Sequence, residues 1–208
     1  MQLSEVVRRR KMVRDYSGSP VPAEVLDRVL DLAQRGPSAG FSQGVDLLVL
    51  EGPAQTGQFF ELTSDPEFIA EPGRLAGLLR APVIVVPLSD PAAYVSRYLE
   101  ADKSGSKLAG VPAGSWPVPY WLVDSSFAVM LLLLAATDEG LGALFFRLHK
   151  DPGALFAALG VPAGKQVIGA VALGYGVPDD ARTTAGLKGS PASRSRRATS
   201  DVVHRGCW

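Results

Sequence analysis

The chain has 208 residues, 47% of them apolar and 20% charged, enough to bury a real core as one large domain. Its 21 basic and 21 acidic residues balance, so no global field favours nucleic acid, an anionic membrane or an acidic substrate, and any basic site must be local. A single cysteine, Cys207, leaves no intrachain disulfide, and the opening Leu3, Glu5 and Arg8 do not make a secretory leader; a cytoplasmic setting is expected.

In chain order, Leu3, Val6, Val7 and the stem of Arg10 recur three to four residues apart, which predicts a short amphipathic helix ending in a basic cluster. Ser19 to Glu24 supplies a turn, a proline suited to a first helical turn and an acid near a helix N-terminus. Val25, Leu26, Val29, Leu30 and Ala33 then make one apolar face, and Gly36-Pro37 stops the helix. Residues 45–51 and 82–88 are short apolar runs bounded by Gly and Pro, the pattern of buried strands. A helix carrying Tyr94 and Tyr98, a loop over 102–119 and a long helix over about 120–139 follow. The apolar run 127–136 is roughly half of the ~20 residues a membrane span needs, so this helix is expected in the core and not in a membrane. Short strands are predicted at 142–146 and within 164–174. Without regular βαβ alternation, the order implies an α+β fold with a mixed central sheet flanked by helices. Residues 179–208 form a polar extension; its Val202, Val203 and Trp208 imply docking, with a partner subunit as one surface.

Two segments carry chemistry. Arg8, Arg9, Arg10, Lys11 and Arg14 put five cations into seven positions. Repulsion of about 0.2–0.5 kcal/mol per like pair is small enough for a solvated face to explain the run. Alternatively, Arg10, Lys11 and Arg14 surround a phosphate and an electron-rich ring, with charge-assisted contacts of about 1.5–3 kcal/mol each. The second segment, residues 36–44, is a Gly/Ser loop between helix and strand, where small residues let backbone amides approach a ligand. His149 and His204 have no second ligand at metal spacing, so no metal site is expected.

Taken in order, these segments resemble the nitroreductase family. Residues 10–16, Arg-Lys-Met-Val-Arg-Asp-Tyr, resemble its Arg-Arg-Ser-x-Arg-x-Phe/Tyr opening, and Pro37 to Gln43 resembles its Pro-Ser-x-x-Asn-x-Gln loop. Asp124 to Ala136 followed by Glu139-Gly140-Leu141-Gly142 is similar to the family's central helix and Gly-Leu-Gly turn, and residues 194–204 to its basic closing motif. The resemblance spans nearly the whole chain. It implies a homodimer with two flavin mononucleotide (FMN) sites at the subunit interface, NAD(P)H as co-substrate and a small electron-poor acceptor such as a nitroaromatic or quinone, reduced by two-step hydride transfer. Carried over residue by residue, it implies Arg10, Lys11 and Met12 on the phosphate and ribityl chain and Arg14 at the pyrimidine end of the ring. Pro37, Ser38, Ala39, Phe41 and Gln43 would come from the other subunit. Leu141 and Gly142 would meet the ring through backbone, and Arg194, Arg196 or Arg197 would close on the phosphate.

The chain departs from the pattern in three places. Met12 stands for the usual Ser, Phe41 for the common Asn, and Gly44-Val45 for Pro-Trp. The Gly-Phe-x-Gln loop also resembles a branch that fragments reduced FMN with oxygen, and a non-catalytic flavin-sequestering protein is a third reading. Tyr94, Tyr98, Trp116, Tyr120 and Trp121, with Phe41, are candidates for the substrate pocket, against the alternative of ordinary core. No Gly-x-Gly-x-x-Gly fingerprint selects NADH over NADPH.

Overall fold

Short apolar runs separated by Gly and Pro pair into an antiparallel sheet. The computed structural model describes residues 1–177 and 195–208. Its strands are β1 (Val45–Glu51), β2 (Val83–Ser89), β3 (Gly142–Phe146), β4 (Gln166–Val167) and β5 (Ala170–Gly174). The spatial order is β1-β2-β5-β3, with β4 pairing with the far end of β2. Every strand pair is antiparallel; a parallel bridge between Met12 and Ala143 adds the mixed element at the β3 edge. The run 164–174, predicted as one strand, is two, interrupted at Ile168-Gly169.

Helices cover both faces. Strand periodicity sends Val83 and Val85 to one side of β2 and Ile84 and Val86 to the other. The first side packs on α2 (Ala23–Ala33) through Leu26, Val29 and Ala33, and on α6 (Tyr120–Asp138) through Val129, Leu132, Leu133 and Ala136. The second packs on Phe59 and Phe60 of α3 (Gly52–Thr63) and Leu155 of α7 (Gly153–Leu159). Each fully buried Leu, Val or Phe contributes about 1.5–3 kcal/mol, so these two layers dominate the stability. Length and composition alone would let α6 cross a membrane, but half of it is buried inside the fold. Among the described residues the other α-helices are α1 (Leu3–Arg9), α4 (Pro66–Ala70) and α5 (Pro91–Arg97).

After α1 the chain runs along the sheet edge. Val13 N–H donates to the Ala143 carbonyl at 2.9 Å, and Gly142 leaves no room for a side chain, since a Cβ there would lie 2.8 Å from Val13. Tyr16 is fully buried, its hydroxyl 2.9 Å from the Val13 carbonyl and 3.1 Å from the Ala172 carbonyl. Burial pushes its phenol far above the ordinary range. The arginine of Arg80 reaches Asp15 and, at 3.0 Å, the Tyr16 carbonyl. Segment 10–16 is therefore pinned against β3 and β5. Tyr16→Phe, which strips these buried carbonyls of a donor, is expected to lower the unfolding free energy by about 1–2 kcal/mol. A urea midpoint equal to wild type would contradict that role.

Candidate functional site

The anchored edge segment presents the basic cluster beside the turn that enters β3. Arg10 closes α1, its N–H donating to the Val6 carbonyl at 2.9 Å. Its Nη1 is buried and has no hydrogen-bond partner among the described residues. A cationic donor out of water without an acceptor is costly, so this atom calls for an anion. Met12 bridges to Ala143, adjoining Leu141 and Gly142, while Arg14 is exposed, its Nη1 3.3 Å from the Met12 carbonyl. Residues Arg10, Lys11, Met12, Arg14, Leu141 and Gly142 thus gather at one end of β3.

A second group is built on other elements. Pro37 to Gln43 follows α2 and is tied to α5 and α6. The Ser38 carbonyl accepts from Phe41 N–H at 2.8 Å, and the Ser38 Oγ from Gln43 N–H at 2.8 Å. Ala39 N–H donates to Asp124 on α6 at 2.8 Å, and Arg97 Nε on α5 donates to the Gly40 carbonyl at 2.8 Å. Arg97 is oriented by Asp102, at 2.7 Å from each outer nitrogen. The hydrogen bond to Arg97 holds the Asp102 carboxyl below the usual range. Gly40, Phe41 and Gln43 all have positive φ, and Phe41 is 73% exposed. An apolar ring held outward on backbone that L residues avoid is a feature to expect at a functional site.

The six aromatics expected at a pocket divide. Tyr94, Trp116 and Trp121 are buried in a third small apolar cluster, whereas Tyr98 and Tyr120 pack at its margin and Phe41 stands clear. Trp116 centres the cluster, edge-on to Tyr98 at 5.0 Å between centroids and tilted to Trp121 at 5.8 Å. Its indole donates to the Val111 carbonyl and that of Trp121 to Gln166. Tyr94 is core: no part of its ring meets solvent, because its hydroxyl is drawn inward to Asp124 at 2.7 Å. Burial, then the hydrogen bond to Asp124, pushes its phenol well above the ordinary range.

The extension's described residues, 195–208, are all exposed. Val202 and Val203 show about half their surface and Trp208 all of it. Arg196 is exposed, Arg197 bonds to the Asp201 carbonyl, and Arg194 lies outside the described residues. Among the described residues no group of His, Cys, Asp and Glu has the arrangement of a metal site. Of the residues that tie the loop down, Arg97 was not singled out by sequence and Asp124 only as the first residue of the central-helix match; the available signal was an acid ahead of a long apolar run.

The nitroreductase family profile matches residues 7–175. The chain belongs to the nitroreductase family. It is 28% identical over 180 residues to an NADH dehydrogenase of Thermus thermophilus, covering 80% of this chain and 83% of that protein. Its fold is shared with a nitroreductase family protein of Clostridium novyi NT, with a TM-score of 0.65, 20% identity and 88% of each chain covered. It is also shared with a Desulfovibrio desulfuricans protein described as a nitroreductase in complex with FMN, with a TM-score of 0.63 and 21% identity, covering 98% of this chain and 95% of that one.

The loop geometry makes a prediction of its own. A Cβ on Gly40 would lie 2.8 Å from the Tyr98 ring, on backbone at φ +64°. Gly40→Ala is therefore expected to cost about 1–3 kcal/mol, read from its denaturation midpoint; an unchanged midpoint would show the loop to be freer than its contacts imply.

Proposed function

We propose that this nitroreductase-family protein is a homodimeric, cytoplasmic, FMN-dependent oxidoreductase that uses NAD(P)H to reduce small electron-poor acceptors of the nitroaromatic or quinone type. The observation that carries the reading is the buried, unpartnered Nη1 of Arg10, a cationic donor suited to a phosphate or to an electron-rich ring edge. When bound, FMN would supply the redox chemistry, accepting two electrons from the nicotinamide and releasing them to the acceptor.

The protein's own tasks are binding, orientation and charge. Arg10 and Lys11 would hold the phosphate, with Met12 along the ribityl chain and the apolar backbone turn at Leu141-Gly142 below the ring. Arg14 would place its cation at the pyrimidine end, where negative charge accumulates on reduction. Arg194, Arg196 and Arg197 are proposed to close on the phosphate from the tail. Ser38, Ala39, Phe41 and Gln43, with Pro37, belong to a group that this chain holds on α5 and α6. We assign that group to the partner's flavin.

A dimer is supported by the outer face of α6. Phe127 and Met130 are 43% and 50% exposed, and Leu131 and Leu134 continue the stripe at three- to four-residue spacing. Apolar side chains concentrated on one helical face are the usual mark of a surface that another molecule covers. The acceptor pocket is assigned to Phe41, Tyr98 and Tyr120, backed by Trp116 and Trp121.

The purified protein is expected to show a flavin spectrum, or to acquire one with added FMN, and to be bleached anaerobically by NADH or NADPH. Arg10→Ala should weaken FMN binding about 10- to 100-fold, the loss of one charge-assisted bond. A colourless protein that takes up no FMN would sink the reading. Bound FMN that neither nicotinamide reduces would favour the sequestering alternative, for which an outward Phe41 is equally suited.

A further inference from the structure

The loop from Ser38 to Gln43 does not hold its shape by local preference. Gly40, Phe41 and Gln43 have φ of +64°, +58° and +51°, and two of the three carry a Cβ that disfavours this region. Phe41 N–H to Ser38 O, Ser42 N–H to Ala39 O at 3.2 Å and Ser42 Oγ to Ala39 O at 2.7 Å close the turn upon itself. None of these bonds tells the turn which way to face.

Asp124 supplies the direction. It stands on the buried side of α6, 85 residues along the chain from the loop, and is 5% exposed. Its Oδ2 accepts from Ala39 N–H at 2.8 Å and from the Tyr94 hydroxyl at 2.7 Å. A carboxylate withdrawn from water on the most apolar helix is tolerated because donors reach it, and water hardly competes for them at that depth. Ser38 Oγ accepts from Gln43 N–H at 2.8 Å, so the far end of the turn is tied back to the end that Asp124 holds. Arg97 adds a tie from α5 to the Gly40 carbonyl, and the Tyr98 ring closes the space behind Gly40. The ring of Phe41 is left pointing away from the chain that holds it.

We propose that Asp124 is a positioning residue for the acceptor side of the active site: through Ala39 and Tyr94 it fixes the 38–43 loop, and thereby the Phe41 ring presented to the partner's flavin. This rests on the reading of the loop as part of a shared flavin site. Asp124 touches neither flavin nor acceptor. Its effect is to keep Phe41 at one height over the ring, which decides what flat acceptors can enter. A loop that loses only its anchor keeps the side chains it offers to the flavin, so acceptor recognition should suffer before flavin retention does.

The test uses the full-length protein as purified, in wild-type, Asp124→Ala, Asp124→Asn and Tyr94→Phe forms. Hydrogen–deuterium exchange of residues 38–44 is read alongside KM and kcat for 1,4-benzoquinone with NADH or NADPH, whichever reduces the wild type. In Asp124→Ala, exchange in the loop and KM should each rise about ten-fold or more, with kcat changed less than KM. Asp124→Asn keeps an oxygen that accepts both donors and should restore most of the protection and most of the KM. Tyr94→Phe should shift both in the same direction by less, and it decides the matter if Asp124→Ala does not fold. A residue that merely stabilises the core would lower the unfolding midpoint and leave KM alone. Unchanged exchange overturns the proposal, and so does faster exchange with an unchanged KM. A wild type that takes up no FMN overturns the flavin reading and Phe41's part in it, while exchange still shows whether Asp124 holds the loop.

Discussion

Every residue of β2, from Val83 to Ser89, is buried, so apolar surface from elsewhere in the chain must cover both faces of the sheet. A strand in the second position of the order β1-β2-β5-β3 meets this need only if helices lie above and below it. The α2–α6 layer and the α3–α7 layer are the two answers, and their packing sets where each loop emerges. Segment 10–16 emerges along the β3 edge and the 38–43 loop over α5 and α6. Both groups thus inherit their positions from the core, which segment 10–16 enters through Val13 and Tyr16.

α6 serves this architecture with three surfaces at once. Leu132, Leu133 and Ala136 face the sheet, Phe127 and Met130 face outward, and Asp124 with Ser125 sits buried near the first end. Helical periodicity usually separates one apolar face from one polar face; here apolar residues lie on the outer side of the helix as well as on the side that packs on the sheet. The polar pair is the exception. Ser125 bonds to Ser89 of β2 at 2.6 Å, and Asp124 bonds to the loop and α5, so each of the two buried polar residues of this helix joins it to other elements. Such contacts give direction where apolar packing has little.

Much of the fold was legible because its signals are local. The strands at 45–51 and 142–146 are apolar runs between turn residues, and the helix from Ala23 has its start, face and stop between Ser19 and Pro37. β2 lies one residue later than its run suggested. α3 and α7 went unread because Gly52-Pro53, Gly57 and Gly153 look like turns; Phe59, Phe60 and Leu155 make those segments helical by packing on the sheet, a tertiary effect that local preference does not record. At the site, ordered motifs marked Arg10 to Arg14 and Pro37 to Gln43, but spacing carried no trace of the bond from Ala39 to Asp124. Sequence left Tyr94 open between pocket and core for the same reason, since only the folded chain brings its hydroxyl to a buried acid.

The central claim is that one flavin site is made from two chains, with the Arg10 cluster from one and the 38–43 loop from the other. It is tested most directly by co-expressing two defective chains under different tags, one carrying Arg10→Ala and the other a loop replaced from Ser38 to Gln43 by glycines, and counting FMN in the purified heterodimer. Each defective homodimer should hold little flavin. The heterodimer unites an intact Arg10 cluster with an intact loop in one of its two sites, so the account predicts recovery of one tightly bound FMN per heterodimer. A heterodimer as empty as its parents, while wild type is loaded, would mean that both groups must come from the same chain, and would contradict the account.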